Sequence, residues 1–216
     1  MLSDLQWRII RLVAKLPEAE GFALAGGAAL IAREAVDRRT KDVDFFATRE
    51  EQVRRLQRGL IDAATASGLA VDPLETYPGF SRLLVNDGEQ RCEVDLAYDA
   101  RIQVAESMEY GDVLSLDELA ADKVLALFAR AEARDFIDVA ALLPRYGWPR
   151  LCGLAAEKDT GFHIEALQDA IRAFQRLPTS EFDLDDNAYQ RLRVDVREWM
   201  RELDRVQACE EPSLDL

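Results

Sequence analysis

Between Thr40 and Phe46 the residues alternate strictly, Lys41-Asp42-Val43-Asp44-Phe45, fifteen residues beyond the pair Gly26-Gly27. A β-strand repeats every two residues, so Asp42 and Asp44 share one face while Val43 and Phe45 enter the opposite, apolar one. The segment is therefore expected to be a half-buried strand with a core beneath it. Two carboxylates on one face repel each other and lose hydration, and a divalent cation between them makes the arrangement favourable. Upstream, Phe22-Ala23-Leu24-Ala25 reads as a short buried strand running into the Gly-Gly turn, with a helix opening at Ala28 behind it. Gly26 and Gly27 lack Cβ atoms, so backbone N–H groups there approach an anion closely. A solvated strand edge would carry the same two aspartates, so the pair alone leaves both readings open.

A second alternating segment, Cys92-Glu93-Val94-Asp95-Leu96-Ala97, follows the turn signal Asn86-Asp87-Gly88. Its Asp95 is expected beside Asp42 and Asp44 on a neighbouring strand. Three convergent carboxylates hold two Mg²⁺ ions, which clamp the attacking and leaving oxygens of an in-line phosphoryl displacement. Glu93 shares the face of Asp95, and the pattern does not say whether it joins the site.

The chain of 216 residues is 49% apolar, enough for one sizeable core or two small ones. It has no run of about 18 apolar residues and no basic-then-apolar leader, so no membrane partner and a cytoplasmic location are expected. Cys92, Cys152 and Cys209 are far apart and match no ligand pair, which argues against disulfides and zinc. His163 is the only histidine, expected to cap or flank a helix, and its isolation excludes His-rich metal sites. The net charge of −14 opposes a broad nucleic-acid surface. Locally, residues 33–58 carry eight basic and six acidic side chains, which suits a small anion chelated to Mg²⁺.

The element pattern predicts an α+β chain. A mixed sheet with flanking helices is expected over 1–111, and an all-helical C-terminal half over 112–216. Ser3 caps a first helix with Leu5, Ile9, Leu12, Val13 and Leu16 on one stripe; Thr48-Arg49-Glu50-Glu51 reads as a capping box for a helix lasting to Ser67-Gly68. Strands are expected over 70–77, 80–85 and 91–98. Ser115-Leu116-Asp117-Glu118 is a second capping box, and further helices are expected over 134–143, stopped by Pro144 and Gly147, then 162–177 and 188–207. Leu192, Val196, Trp199 and Leu203 of the last helix are expected to offer an interface. The terminal residues 210–216 are expected to fray.

Lys123 sits in the largely apolar Ala120-Ala121-Asp122-Lys123-Val124-Leu125, where it is either solvated or directed at a phosphate. Arg130, Arg134 and Asp138 are four residues apart and make a ladder if their helices run on. Asp135 can orient an arginine by a bidentate pair, and the fixed guanidinium then reaches a phosphate or ribose. Arginines 193, 197, 201 and 205 form another ladder; interleaved Glu198, Glu202 and Asp204 favour an ion-paired solvated face over an RNA-contacting stripe.

Taken in order, Gly26-Gly27-Ala28-Ala29-Leu30, Arg39-Thr40-Lys41-Asp42-Val43-Asp44-Phe45-Phe46, Glu93-Val94-Asp95, Asp122-Lys123 through Arg130, and Arg134-Asp135-Phe136-Ile137-Asp138 resemble the AbiEii/AbiGii toxin family. These are nucleotidyltransferase-like proteins of the polymerase-beta-type superfamily. The resemblance implies Mg²⁺-dependent transfer of a nucleoside monophosphate from an NTP to an acceptor, with pyrophosphate leaving. By the same resemblance Asp42 and Asp44 bind metal, and Asp95 holds metal or deprotonates the acceptor hydroxyl. Lys123 touches NTP phosphates, with Gly26, Gly27, Arg134 and Asp135 as further nucleotide-binding residues. It also implies a toxin that modifies tRNA or another acceptor and is restrained by a cognate antitoxin. Ala28 stands where many relatives have a hydroxyl residue, so the backbone amides near Gly27 are expected to hold more of the phosphate. Two other readings fit the residues: adenylylation of a small cationic molecule such as an aminoglycoside, and a nucleotide-binding partner without turnover.

Overall fold

A computed structural model describes residues 1–210. The chain divides into two compact units, Met1–Leu119 and a second beginning at Ala120.

The first unit is built on one mixed sheet. Helix α1 (Asp4–Val13) starts at a reciprocal capping box, in which Ser3 Oγ accepts from the Gln6 N–H at 3.2 Å and Gln6 Oε1 accepts from the Ser3 N–H at 2.8 Å. Strand β1 (Phe22–Ala25) leads into α2 (Gly26–Ala32), then β2 (Asp42–Ala47) and α3 (Glu50–Ala66). The meander β3 (Ala70–Tyr77), β4 (Phe80–Asn86) and β5 (Arg91–Tyr98) follows, and β6 (Glu106–Met108) and β7 (Gly111–Val113) close the unit. The sheet runs β3-β4-β5-β2-β1-β7-β6. Strand β2 is antiparallel to β1 and parallel to β5, so the acidic strand lies in the middle of the sheet. Val43, Val94, Leu96 and Leu83 are fully buried on the apolar side, and α1 and α3 pack on the sheet with Leu5, Ile9, Val53, Leu56 and Leu60 inside.

Several local expectations are corrected. Helix α3 is preceded by Arg49 as cap residue, with no side-chain cap hydrogen bond, so the Thr48 box does not form. In β3, by contrast, Pro73 interrupts the strand as its sequence predicts, and the register shifts between Pro73 and Glu75 because proline has no N–H to donate. Asp112 and Val113, which the sequence pattern assigns to the start of the helical half, belong to β7 beside β1, and the Leu114 N–H donates to the Leu24 carbonyl. The unit boundary therefore lies several residues further on.

The helical part comprises α4 (Leu116–Ala129), α5 (Ala133–Lys158), α6 (Ile164–Arg172) and α7 (Asp186–Glu210), with a 3₁₀ turn at Ala173–Arg176 after α6. Ser115 Oγ accepts from the Glu118 N–H at 3.1 Å, while Glu118 Oε2 accepts from the N–H groups of Ile102 and Gln103, both at 2.9 Å. The Glu118 carboxylate of the second capping box thus also holds a loop. Ala131 at φ 50 separates α4 from α5, so Arg130, Arg134 and Asp138 do not form a continuous ladder. Gly147, at φ 65 and ψ 159, kinks α5, but the helix resumes to Lys158 where the sequence pattern expects none. Pro149 stands in the first turn after the kink, where a missing N–H has no helical partner to lose.

The core of this unit is aromatic. Phe136 stacks on Trp199 at 6.3 Å and meets Phe174 edge-on at 5.1 Å, while Trp148 meets Trp199 edge-on at 5.6 Å. Leu192, Val196, Trp199 and Leu203 are all buried within the unit, so they build its core instead of the expected interface. Of the end expected to fray, residues 211–216 lie outside the described residues.

Candidate active site

The register brings the sequence-predicted carboxylates onto one face. In the parallel β2/β5 pair, Asp42 lies opposite Glu93 and Asp44 opposite Asp95. Residues paired in register share a face, and neighbouring strands are about 4.8 Å apart. Strand β4 adds Arg82, which lies opposite Asp95 across the antiparallel β4/β5 pair.

Each of these groups has a local reason for its place. Thr40 Oγ1 donates to Asp42 Oδ1 at 2.6 Å, and the Thr40 carbonyl is itself held by the buried Gln6, whose amide donates to it at 3.0 Å. Asp44 lies against the glycine turn, because the β1/β2 register sets it opposite Ala25. Gly26 has φ +60, in the left-handed region, and a Cβ there would fall 1.9 Å from Asp44 Oδ2. The glycine thus makes the seat of the aspartate. A Cβ on Gly27 would fall 2.7 Å from an Arg38 guanidinium nitrogen and 3.2 Å from Thr40 Oγ1, so a cation and a hydroxyl lie where the turn opens.

Asp95 is differently placed. Arg82 donates Nε to Asp95 Oδ1 at 2.8 Å and a terminal nitrogen to Oδ2 at 2.6 Å, a bidentate pair that also comes within 3.7 Å of Glu93. The hydrogen bond to Asp95 raises the Arg82 guanidinium above its ordinary value, with the charges of Asp95, Glu93 and Glu75 adding to it against the burial that lowers it. Among the described residues no three His, Cys, Asp or Glu side chains form a ready-made cation site. Asp42 and Asp44 form an oxygen pair on this face, and Asp95 in register beside Asp44 is bound by Arg82. Mg²⁺ is commonly held by one or two carboxylates plus substrate phosphates, so an oxygen pair of this kind fits it. Cys92 lies on the opposite, apolar face of β5, and its thiol is pushed up to about 12 by burial, with the charges of Asp42 and Asp44 contributing.

The other sequence-predicted residues lie in the helical unit and are engaged there. The Lys123 ammonium is 3.0 Å from Asp138 Oδ2, with both side chains buried. Asp122 pairs with Lys158, so two adjacent residues of α4 bind α5. Asp135 is fully buried and accepts from Arg130 at 2.9 and 3.0 Å and from the Glu132 N–H at 3.2 Å. The arginine that Asp135 orients is thus Arg130; Arg134 pairs with Glu132 at 3.0 Å. His163 occupies the cap position of α6 without a side-chain cap bond, its Nδ1 being 2.9 Å from the Gly161 carbonyl.

Sequence reasoning missed Arg38 and Arg82. Arg38 belongs to the basic stretch noted before β2, and Arg82 alternates with apolar residues in β4 on the polar side.

A family profile described as "Nucleotidyl transferase AbiEii toxin, Type IV TA system" matches residues 9–210. No curated protein sequence matches the chain. Among solved structures, JHP933 from Helicobacter pylori is similar with a TM-score of 0.60 at 17% identity, over 98% of this chain and 95% of that one. A putative nucleotidyltransferase from H. pylori gives 0.58 at 17%, over 97% and 98%. MenT4, a nucleotidyltransferase toxin from Mycobacterium tuberculosis, gives 0.61 at 19%, over 96% and 87%. At these identities the likeness shows the shared fold.

Proposed function

Because the chain belongs to the AbiEii nucleotidyl transferase toxin family of type IV toxin–antitoxin systems, we propose that Asp42, Asp44 and Asp95 are its catalytic carboxylates. They move a nucleoside monophosphate from an NTP to an acceptor hydroxyl. The observation that carries this reading is the register: Asp44 lies opposite Asp95 in the centre of the sheet, and its carboxylate is seated against Gly26. Asp42 and Asp44 would hold Mg²⁺, which supplies charge neutralisation on the triphosphate. Arg38 and the backbone at Gly27 bind phosphate oxygens, taking the part that a hydroxyl at position 28 would play.

Asp95 receives the acceptor. Arg82 fixes its rotamer while occupying two of about four lone-pair directions, which leaves the carboxylate able to accept from a hydroxyl. As the acceptor oxygen bonds to the α-phosphorus, its proton passes to Asp95, the bond from that phosphorus to the bridging oxygen breaks, and pyrophosphate departs. Catalysis comes from positioning and from charge neutralisation. Lys123, Arg134 and Asp135 are assigned to the nucleotide by the family resemblance; an ammonium has three N–H donors, so pairing with Asp138 leaves Lys123 capacity for a phosphate. The proposed acceptor is an RNA such as tRNA, the proposed restraint a cognate antitoxin, and the proposed compartment the cytoplasm. Among the described residues no helix is long and apolar enough to cross a membrane.

The test is pyrophosphate release from each NTP with Mg²⁺ and total tRNA. Asp42→Ala and Asp44→Ala should each lower the rate by at least ~100-fold, the scale of a lost electrostatic contact to the transition state. Full activity in both variants would overturn the assignment.

A further inference from the structure

The exposed arginine ladder of α7 is not ion-paired along its length. Arg201 pairs with Glu198 at 2.9 Å, as the interleaved acids lead one to expect. Arg193 and Arg197 instead line a cavity of about 400 Å³ together with Arg172 of α6 and the aromatic side chains of Phe174 and Tyr189. Arg172 is paired with Asp169. Among the described residues Arg193 has only a 3.3 Å hydrogen bond to the neutral Gln190, and Arg197 has no carboxylate partner.

Two unneutralised guanidinium groups four residues apart on one helix repel each other, and an anion between them relieves the repulsion. The rest of the molecule works against this arrangement, since a chain of net charge −14 has acids to spare for every exposed arginine. The wall is also specific in kind. The Tyr189 ring is half-buried and stacks on Phe174 at 6.0 Å with an interplanar angle of 14°, which fixes a flat aromatic surface beside the arginines. A guanidinium fork beside an aromatic plane matches a phosphate joined to a base. The volume lies in the range of small-ligand sites and suits one such unit, whereas the overall acidity disfavours a long polyanion lying across the surface.

We propose that this cavity binds a single nucleotide unit, its phosphate on Arg193 and Arg197 and its base against Tyr189. The site lies wholly within the helical unit and goes beyond the carboxylate centre of the transfer reading. The nucleotide unit comes either from a single-stranded RNA or from a free nucleoside monophosphate.

The experiment measures anisotropy of a fluorescent single-stranded hexaribonucleotide, and competition by AMP and GMP, with full-length protein, without divalent ions or NTP. Failure of the transfer reading therefore leaves this measurement intact, and the reverse holds too. The double variant Arg193→Ala/Arg197→Ala should bind at least ~10-fold more weakly. Its log-affinity against log-salt slope should be shallower by about 0.7, as for the loss of one neutralised phosphate of a single strand. Arg201→Ala should bind within about twofold of the unaltered protein, and Tyr189→Ala should bind more weakly than Tyr189→Phe. Binding of the oligonucleotide assigns the unit to RNA; binding of the free monophosphates alone, with the same arginine dependence, assigns it to a mononucleotide. The proposal is overturned if neither binds, if the double variant binds like the unaltered protein, or if Arg201→Ala costs as much. It is equally overturned if inorganic phosphate or a glutamate-rich peptide competes as well as the nucleotides. Thermal melts of each variant confirm that a loss is not unfolding, and these arginines are exposed.

Discussion

The two units use the same charged residue types for opposite ends. On the sheet, Asp42 and Asp44 are half-buried, on a face whose other side is a closed apolar core. In the helical unit, Asp135 and Asp138 are fully buried and engaged by Arg130 and Lys123. A carboxylate that keeps access to water and lies beside another carboxylate raises the energy of the fold and invites a cation. One that is enclosed with its counter-ion has its charge satisfied by the protein, and removing either member strands the other in a medium of low polarity. The Asp42–Asp44 pair and the Asp138–Lys123 pair thus stand at the two ends of this contrast.

The largest effect that would break this contrast is expected at Asp138. Asp138→Ala leaves Lys123 buried without its partner, and urea denaturation should show a loss of about 3–5 kcal/mol; a change below about 1 kcal/mol would mean that the pair is not structural. Gly26→Ala comes next, because the methyl group meets the Asp44 carboxylate and the backbone is left-handed there. Pyrophosphate release should fall at least ~100-fold, with a smaller loss of stability than for Asp138→Ala.

Arg82→Ala sharpens the comparison within the site. It releases Asp95 from its bidentate partner, so Mn²⁺ binding by calorimetry should tighten as a third carboxylate becomes available, while transfer slows because Asp95 loses its fixed position. Unchanged metal affinity would show that Asp95 stands too far from the pair to join it. The smallest effect concerns Cys92. Its thiol is raised in the folded protein from an ordinary value of 9.0 to about 12, so the stability gained from the neutral thiol is complete below pH 9 and is lost as pH climbs through about 12. Alkylation of Cys92 at pH 8 should therefore proceed only after unfolding, which mass analysis of native and urea-treated protein would reveal.

Much of the sheet was legible because strand period and turn chemistry are local. Strands 70–77 and 91–98 and the alternation at Asp42–Ala47 follow from side-chain type alone, and so does the shared face of Asp42 and Asp44. The Arg82–Asp95 pair was legible in principle. Asn86 pairs with Arg91 across the hairpin, and equal steps outward along both strands arrive at Arg82 and Asp95, but the length of the loop has to be known first. The parallel register of β2 with β5 is set by packing between segments some fifty residues apart in sequence, so no local signal announces it. In the helical unit the missed features are backbone choices. Ala131 takes a positive φ with no glycine to mark it, and Gly147 looks like a terminator although the chain resumes its helix around Pro149. The expected interface on α7 failed for a related reason: an apolar stripe states that something covers it, and here the cover is the unit's own aromatic core.

The most direct measurement compares melting temperature and pyrophosphate release in the double variant Asp42→Asn/Asp44→Asn. If these carboxylates serve a ligand and burden the fold, the variant melts at or above the temperature of the unaltered protein and releases no pyrophosphate. A variant that melts lower and still transfers would contradict the account.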